Sequence, residues 1–94
     1  NFMKQAILDT SFILTCVKQK IDFFEELKLL GIQIIIPIQV IDEIKGILIS
    51  KQKLQHRKNA ELANRLLEKD NYKKINLKTK NTDAGIMKFA DENK

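Results

Sequence analysis

Short unbroken apolar blocks alternate along the chain with stretches in which apolar residues recur every three or four positions. Ala6-Ile7-Leu8 shows no polar alternation, the pattern of a strand covered on both faces. Asp9, Thr10 and Ser11 follow, three residues able to cap a helix, and predict a short helix over Phe12 to Val17. Asp22 and Glu25 form a capping box. Phe23, Phe24, Leu27 and Leu30 then recur at helical spacing, and Gly31 supplies the stop. Ile34-Ile35-Ile36 reads as a second buried strand closed by Pro37, a residue that suits the first turn of the next helix. That helix is expected from Ile38 to Ser50, and a further one from Asn59 to Lys69 carries Ala60, Ala63, Leu66 and Leu67 on one face. Ile75-Asn76-Leu77 reads as a third strand, and Asn81 and Thr82 cap a last helix with Ile86, Phe89 and Ala90. Strands alternate with helices throughout, without repeats or low-complexity tracts. The pattern predicts one α/β domain over residues 1–94, a three-layer α/β/α arrangement with a parallel sheet and right-handed crossovers.

Composition narrows the class. With 44% hydrophobic and 31% charged residues the chain is globular rather than disordered. Aromatics make up only 6% and Trp is absent, so the core is aliphatic. At 94 residues one core is within reach, with little margin. Lys and Arg outnumber Asp and Glu by 17 to 12, a balance of +5 that suits a polyanionic partner such as RNA, DNA or an acidic membrane surface. Cys16 is the lone cysteine, which excludes an intrachain disulfide and suits a small core side chain. No apolar run approaches the roughly 20 residues of a membrane span. Asp9 interrupts the first apolar run too early for a secretory leader, so the expected setting is cytoplasmic, without membrane attachment.

Three acids fall where sites form in open parallel sheets, outside the carboxyl ends of the strands. Asp9 ends the first strand, Glu43 lies in the helix after the second, and Asp83 opens the helix after the third. Each has a plain structural reading too: Asp9 as a helix cap, Asp83 as an acid favoured by the helix dipole, Glu43 as a solvated helix residue. Helix geometry separates Glu43 from Asp42. Val40, Ile41, Ile44, Ile47 and Leu48 form one apolar arc; Glu43 flanks it, while Asp42 points further outward.

These segments resemble the motifs of PIN-domain nucleases. Leu8-Asp9-Thr10-Ser11-Phe12-Ile13-Leu14 is similar to the opening motif, a strand ending in Asp before small hydroxylated residues. Ile36-Pro37-Ile38-Gln39-Val40-Ile41-Asp42-Glu43-Ile44 resembles the second, a proline before a helix carrying an acid. Asn81-Thr82-Asp83-Ala84-Gly85-Ile86 resembles the third, an Asp opening a helix. The resemblance covers about Lys4 to Asn93 and implies a metal-dependent endoribonuclease. In that reading Asp9, Glu43 and Asp83 are the catalytic ligands of Mg²⁺ or Mn²⁺, and Thr10 or Ser11 positions the first carboxylate or a metal-bound water. It also implies a toxin with an antitoxin partner or an RNA-processing nuclease. The family normally supplies a fourth acid just after a further strand. The chain reaches Asp91-Glu92-Asn93-Lys94 where that strand is due, so the last strands of the fold are expected to be missing. The first strand would then be an exposed edge, covered by a longer parent chain, a protein partner or a second copy in a homodimer, or left as a weakly stable fragment.

The remaining polar residues add candidates. Lys45, Lys51, Lys53, Arg57 and Lys58 form a basic cluster that reads either as a phosphate-contacting rim for RNA or as a solvated loop and helix end. His56 has no second His or Cys to complete a zinc site, and the scattered glycines form no phosphate loop. Two other functions share these features. One is a catalytically silent module that binds RNA or a protein, which lacks metal-dependent cleavage. The other is a flavodoxin-like receiver, disfavoured because Asp9 is followed by Thr10 and not paired with a second acid.

Overall fold

The structure, a computed structural model, describes residues 4–77. Strand β1 (Lys4–Ile7) leads into helices α1 (Thr10–Lys18) and α2 (Phe23–Leu29). Strand β2 (Ile32–Pro37) leads into α3 (Ile38–Leu48) and α4 (Leu54–Lys69), and β3 (Lys73–Ile75) follows. The three strands form a parallel sheet in the order β1-β2-β3, with Ala6 opposite Ile34 and Ile36 opposite Lys74. The expected helix after Asn81 and Thr82, and with it Asp83, lies outside the described residues. So does the third layer that helix would form.

Local chemistry sets the element ends. Asp22 accepts from the Glu25 N–H and caps α2 as its sequence predicts. Gly31 ends that helix at φ +72°, a left-handed conformation that costs glycine nothing, and its N–H closes on the Lys28 carbonyl. Helix α1 ends in the same manner on a non-glycine residue. Lys20 has φ +60°, its N–H reaches the Val17 carbonyl, and the Ile21 N–H reaches Cys16. Pro37 ends β2 and stands at the α3 cap position, with no side-chain cap.

Both crossovers step across the sheet in the same direction, so right-handed connections put both helix pairs on one face. The core agrees. Ile34 and Ile36 of β2 join one cluster with Ile13, Cys16 and Val17 of α1, Phe23 and Phe24 of α2, Val40, Ile41, Ile44 and Ile47 of α3, and Ala60, Ala63 and Leu67 of α4. Ile35, between them in the pleat, is fully buried on the opposite side. The small Ala60 and Ala63 let α4 lie close against α1 and α3, the helices it packs on. Burial also raises the pKa of the Cys16 thiol, in keeping with its place in the core.

Several boundaries differ from the sequence reading: β1 is Lys4–Ile7 and not Ala6–Leu8, α1 starts at Thr10, β2 starts at Ile32 and α3 ends at Leu48. Helix α4 begins at Leu54, so His56, Arg57 and Lys58 are helical and not part of a loop. Leu, Gln, Arg and Lys are good helix formers, and that propensity acts where apolar periodicity is absent. Strand β3 occupies Lys73–Ile75, earlier than Ile75–Leu77. Its two lysines are exposed, and pairing with the Ile35–Pro37 backbone defines the strand without an apolar pattern. None of the described helices is long and apolar enough to cross a membrane.

Candidate metal centre at the strand ends

The β1–α1 junction places Asp9 at the N-cap of α1. One carboxylate oxygen, Oδ1, accepts from the Phe12 N–H at 2.7 Å. Capping and metal ligation do not compete here, because a carboxylate has two oxygens and no described donor reaches Oδ2. The cap fixes the carboxylate's direction at the helix N-terminus, where negative charge is favourable.

Glu43 stands in the second turn of α3, and Thr10 connects it to Asp9. The Thr10 hydroxyl donates to Glu43 Oε2 at 3.0 Å, a contact between residues 33 apart in sequence. Thr10 thus holds the second carboxylate, not the first. The residue next to Asp9 thus contacts the second acid across the chain. Asp42, also exposed, makes no such contact among the described residues. Ser11 is exposed and its hydroxyl has no partner among the described residues. Asp83 lies outside them, and no group of three His, Cys, Asp or Glu gathers within them.

The charge around the pair bears on what it can bind. The one ion pair among the described residues is Arg65 with Glu61, on the exposed side of α4. No described Lys or Arg neutralises Asp9 or Glu43, so their charge is left for water or an external cation. The donors are carboxylate oxygens, hard ligands that suit Mg²⁺ or Mn²⁺ over softer metals. The described part of the site therefore fits a divalent cation of that class.

The basic residues are less concentrated than the pair. Lys45 is two residues past Glu43, about 200° around α3, and lines a shallow cleft with Asn64, Glu68 and Lys74. Lys51 and Lys53 lie beyond the C-terminal end of α3, and Lys58 is exposed on α4. Arg57 donates its Nε to the Gln52 carbonyl at 3.1 Å and braces the α3–α4 turn. His56 is half-buried on α4. Two open clefts lie around the approach to β3, and neither includes Asp9, Thr10 or Glu43.

One polar residue near the pair gave no signal in the sequence. Gln39, in the first turn of α3, donates its Nε2 to Asn76 Oδ1 at 2.9 Å and accepts the Leu77 N–H at 3.4 Å. A glutamine in a first turn looks like any solvated residue, and its partners lie 37 and 38 positions away.

A family model described as a PIN like domain matches residues 6–94, almost the whole chain. No curated protein and no solved structure matches it. With a parallel α/β sheet, an Asp at the end of the first strand and a Glu on the helix after the second, the chain belongs to the PIN-like domain family, a nuclease-type superfamily whose members typically use divalent metals.

Proposed function

We propose that this protein is a metal-dependent endoribonuclease, with Asp9, Glu43 and Asp83 as the ligands of Mg²⁺ or Mn²⁺. The observation that supports the reading is the hydroxyl of Thr10, the residue after Asp9, donating to Glu43, with neither carboxylate ion-paired among the described residues. A bound divalent ion would neutralise charge on the scissile phosphate and lower the pKa of a coordinated water. The chain's own part is positional. The Phe12 N–H holds Asp9 by one oxygen and leaves the other for ligation. The Thr10 hydroxyl holds Glu43 by Oε2 and leaves Oε1.

The overall charge of +5 favours a polyanionic substrate. Lys45, Lys51, Lys53, Lys58 and Arg57 are the candidates for backbone contact with RNA, in keeping with recognition by charge and not by base sequence. Single-stranded RNA is therefore the substrate to offer. The purified protein is expected to cleave it with Mg²⁺ or Mn²⁺, to stop when EDTA removes the ion, and to recover when either metal is restored in excess. Cleavage that continues in EDTA would refute the metal assignment. Binding of RNA without cleavage in either metal would point to the silent module instead.

A further inference from the structure

Phe12 stands in the first turn of α1, and its N–H is the group that holds Asp9 Oδ1 at 2.7 Å. The residue that fixes the first carboxylate thus also carries an aromatic ring, and that ring lies outside the buried core cluster. Phe12 is 44% exposed, and it is the one aromatic among the exposed large hydrophobic residues described. Side chains on a helix lean toward its N-terminus, so this ring leans back toward the strand end that carries Asp9.

The ring is held in place. It meets the buried Phe23 ring at 6.4 Å between centroids with the planes 69° apart, the edge-to-face arrangement that aromatic pairs favour. This contact fixes the plane of the ring and leaves nearly half of the residue to solvent. A single half-exposed hydrophobic residue is ordinary on a protein surface. What sets Phe12 apart is its place, since its own backbone touches a carboxylate of the acidic site. A nucleobase suits such a surface, because every base has a π-face that can stack on an aromatic ring. The base must be unpaired to do so. A ring already fixed in orientation makes the contact at low entropic cost.

We infer that the Phe12 ring is a stacking platform for one unpaired base of the RNA beside the bond cleaved, which makes the site selective for single strands over duplex and tolerant of base identity. The inference rests on the functional reading above. Lysine contacts track the backbone, and the stacked base fixes the strand's position beside Asp9.

The test measures KM for cleavage of a short single-stranded RNA in Mn²⁺ with the whole protein. Phe12→Leu keeps an apolar side chain against Phe23 and removes the ring; it is expected to raise KM roughly tenfold, within the range found for loss of one stacked base. Phe12→Tyr keeps the ring and is expected to stay within about twofold of wild type. A single abasic nucleotide is also placed at each position around the cleaved bond in turn. At one position it is expected to raise the wild-type KM about tenfold and that of Phe12→Leu no further, because the two changes remove the same contact. Mn²⁺ affinity, measured by calorimetry, is expected to be equal in Phe12→Leu and wild type, since the N–H that holds Asp9 belongs to the backbone. An unchanged KM in Phe12→Leu, or abasic effects that add fully to it at every position, would overturn the inference and leave the proposed function standing. Weaker Mn²⁺ binding, or a melting temperature lower by more than about 5 °C, would assign Phe12 to the shape of the site or to the fold and overturn it as well. Failure of the wild-type protein to cleave RNA in Mn²⁺ would refute the functional reading and the inference with it.

Discussion

Asp9→Asn is expected to lower metal-dependent RNA cleavage by roughly 10²–10³-fold while the fold persists, the range typical for loss of one group that stabilises transition-state charge. The substitution isolates the ligand role from the structural one. Asn is as good an N-cap as Asp, so the hydrogen bond from the Phe12 N–H and the start of α1 survive. What is lost is the negative charge and the strength of the second oxygen as a ligand. Cleavage rates at saturating Mn²⁺, read beside circular dichroism and thermal melts, separate the two effects. An unchanged rate would remove Asp9 from the site. A large fall in melting temperature would mean that the carboxylate's charge serves the fold.

Phe23→Ala is expected to have the largest effect on stability. Its ring is 1% exposed, sits at the start of α2, and meets Phe24 at 4.6 Å and Phe12 at 6.4 Å between ring centroids. Truncating a buried Phe costs about 3–5 kcal/mol, a large part of the roughly 5–15 kcal/mol that holds a typical domain together. In a chain this short each kcal/mol moves the melting temperature by about 4–8 °C, so a fall of at least about 12 °C is expected. Leu29→Ala is the control. Leu29 is 75% exposed at the other end of the same helix, and its loss should shift stability by no more than about 0.5 kcal/mol. If the two variants melt alike, α2 does not pack as described.

The parts of this protein that the sequence reveals are those set by local chemistry or by one-dimensional pattern. Ile34-Ile35-Ile36 forms the central strand because an apolar run buried on both faces leaves few alternatives. The Asp22 cap, which accepts from the Glu25 N–H, and the stop at Gly31 fall where local chemistry puts them. The arc of Val40, Ile41, Ile44 and Ile47 is buried as its spacing requires. What the sequence hides is decided by partners far along the chain. Lys73 and Lys74 enter a strand because β2 offers them a backbone edge, which no feature of their own announces. Leu54 to Lys58 are helical by propensity, without the apolar stripe that marks the rest of α4.

The candidate site divides along the same line. The order of Asp9 and Glu43 on successive elements is legible, because parallel strands send their carboxyl ends to one side. The partner of the Thr10 hydroxyl is not, since a hydroxyl after Asp9 can serve either carboxylate; it serves Glu43. Gln39 is invisible for a similar reason, as only the assembled sheet brings the exit of β3 to the first turn of α3.

In the proposed function Asp9 and Glu43 share one divalent ion, and Mn²⁺ reports its own location. Each bound Mn²⁺ broadens the resonances of nuclei near it, so a titration followed by nuclear magnetic resonance maps the site directly. The amides of Leu8 to Phe12 and that of Glu43 are expected to broaden together, at substoichiometric metal and ahead of those near Glu61, Glu68 and Asp70. First broadening around those α4 acids, or of Asp9 without Glu43, would contradict it.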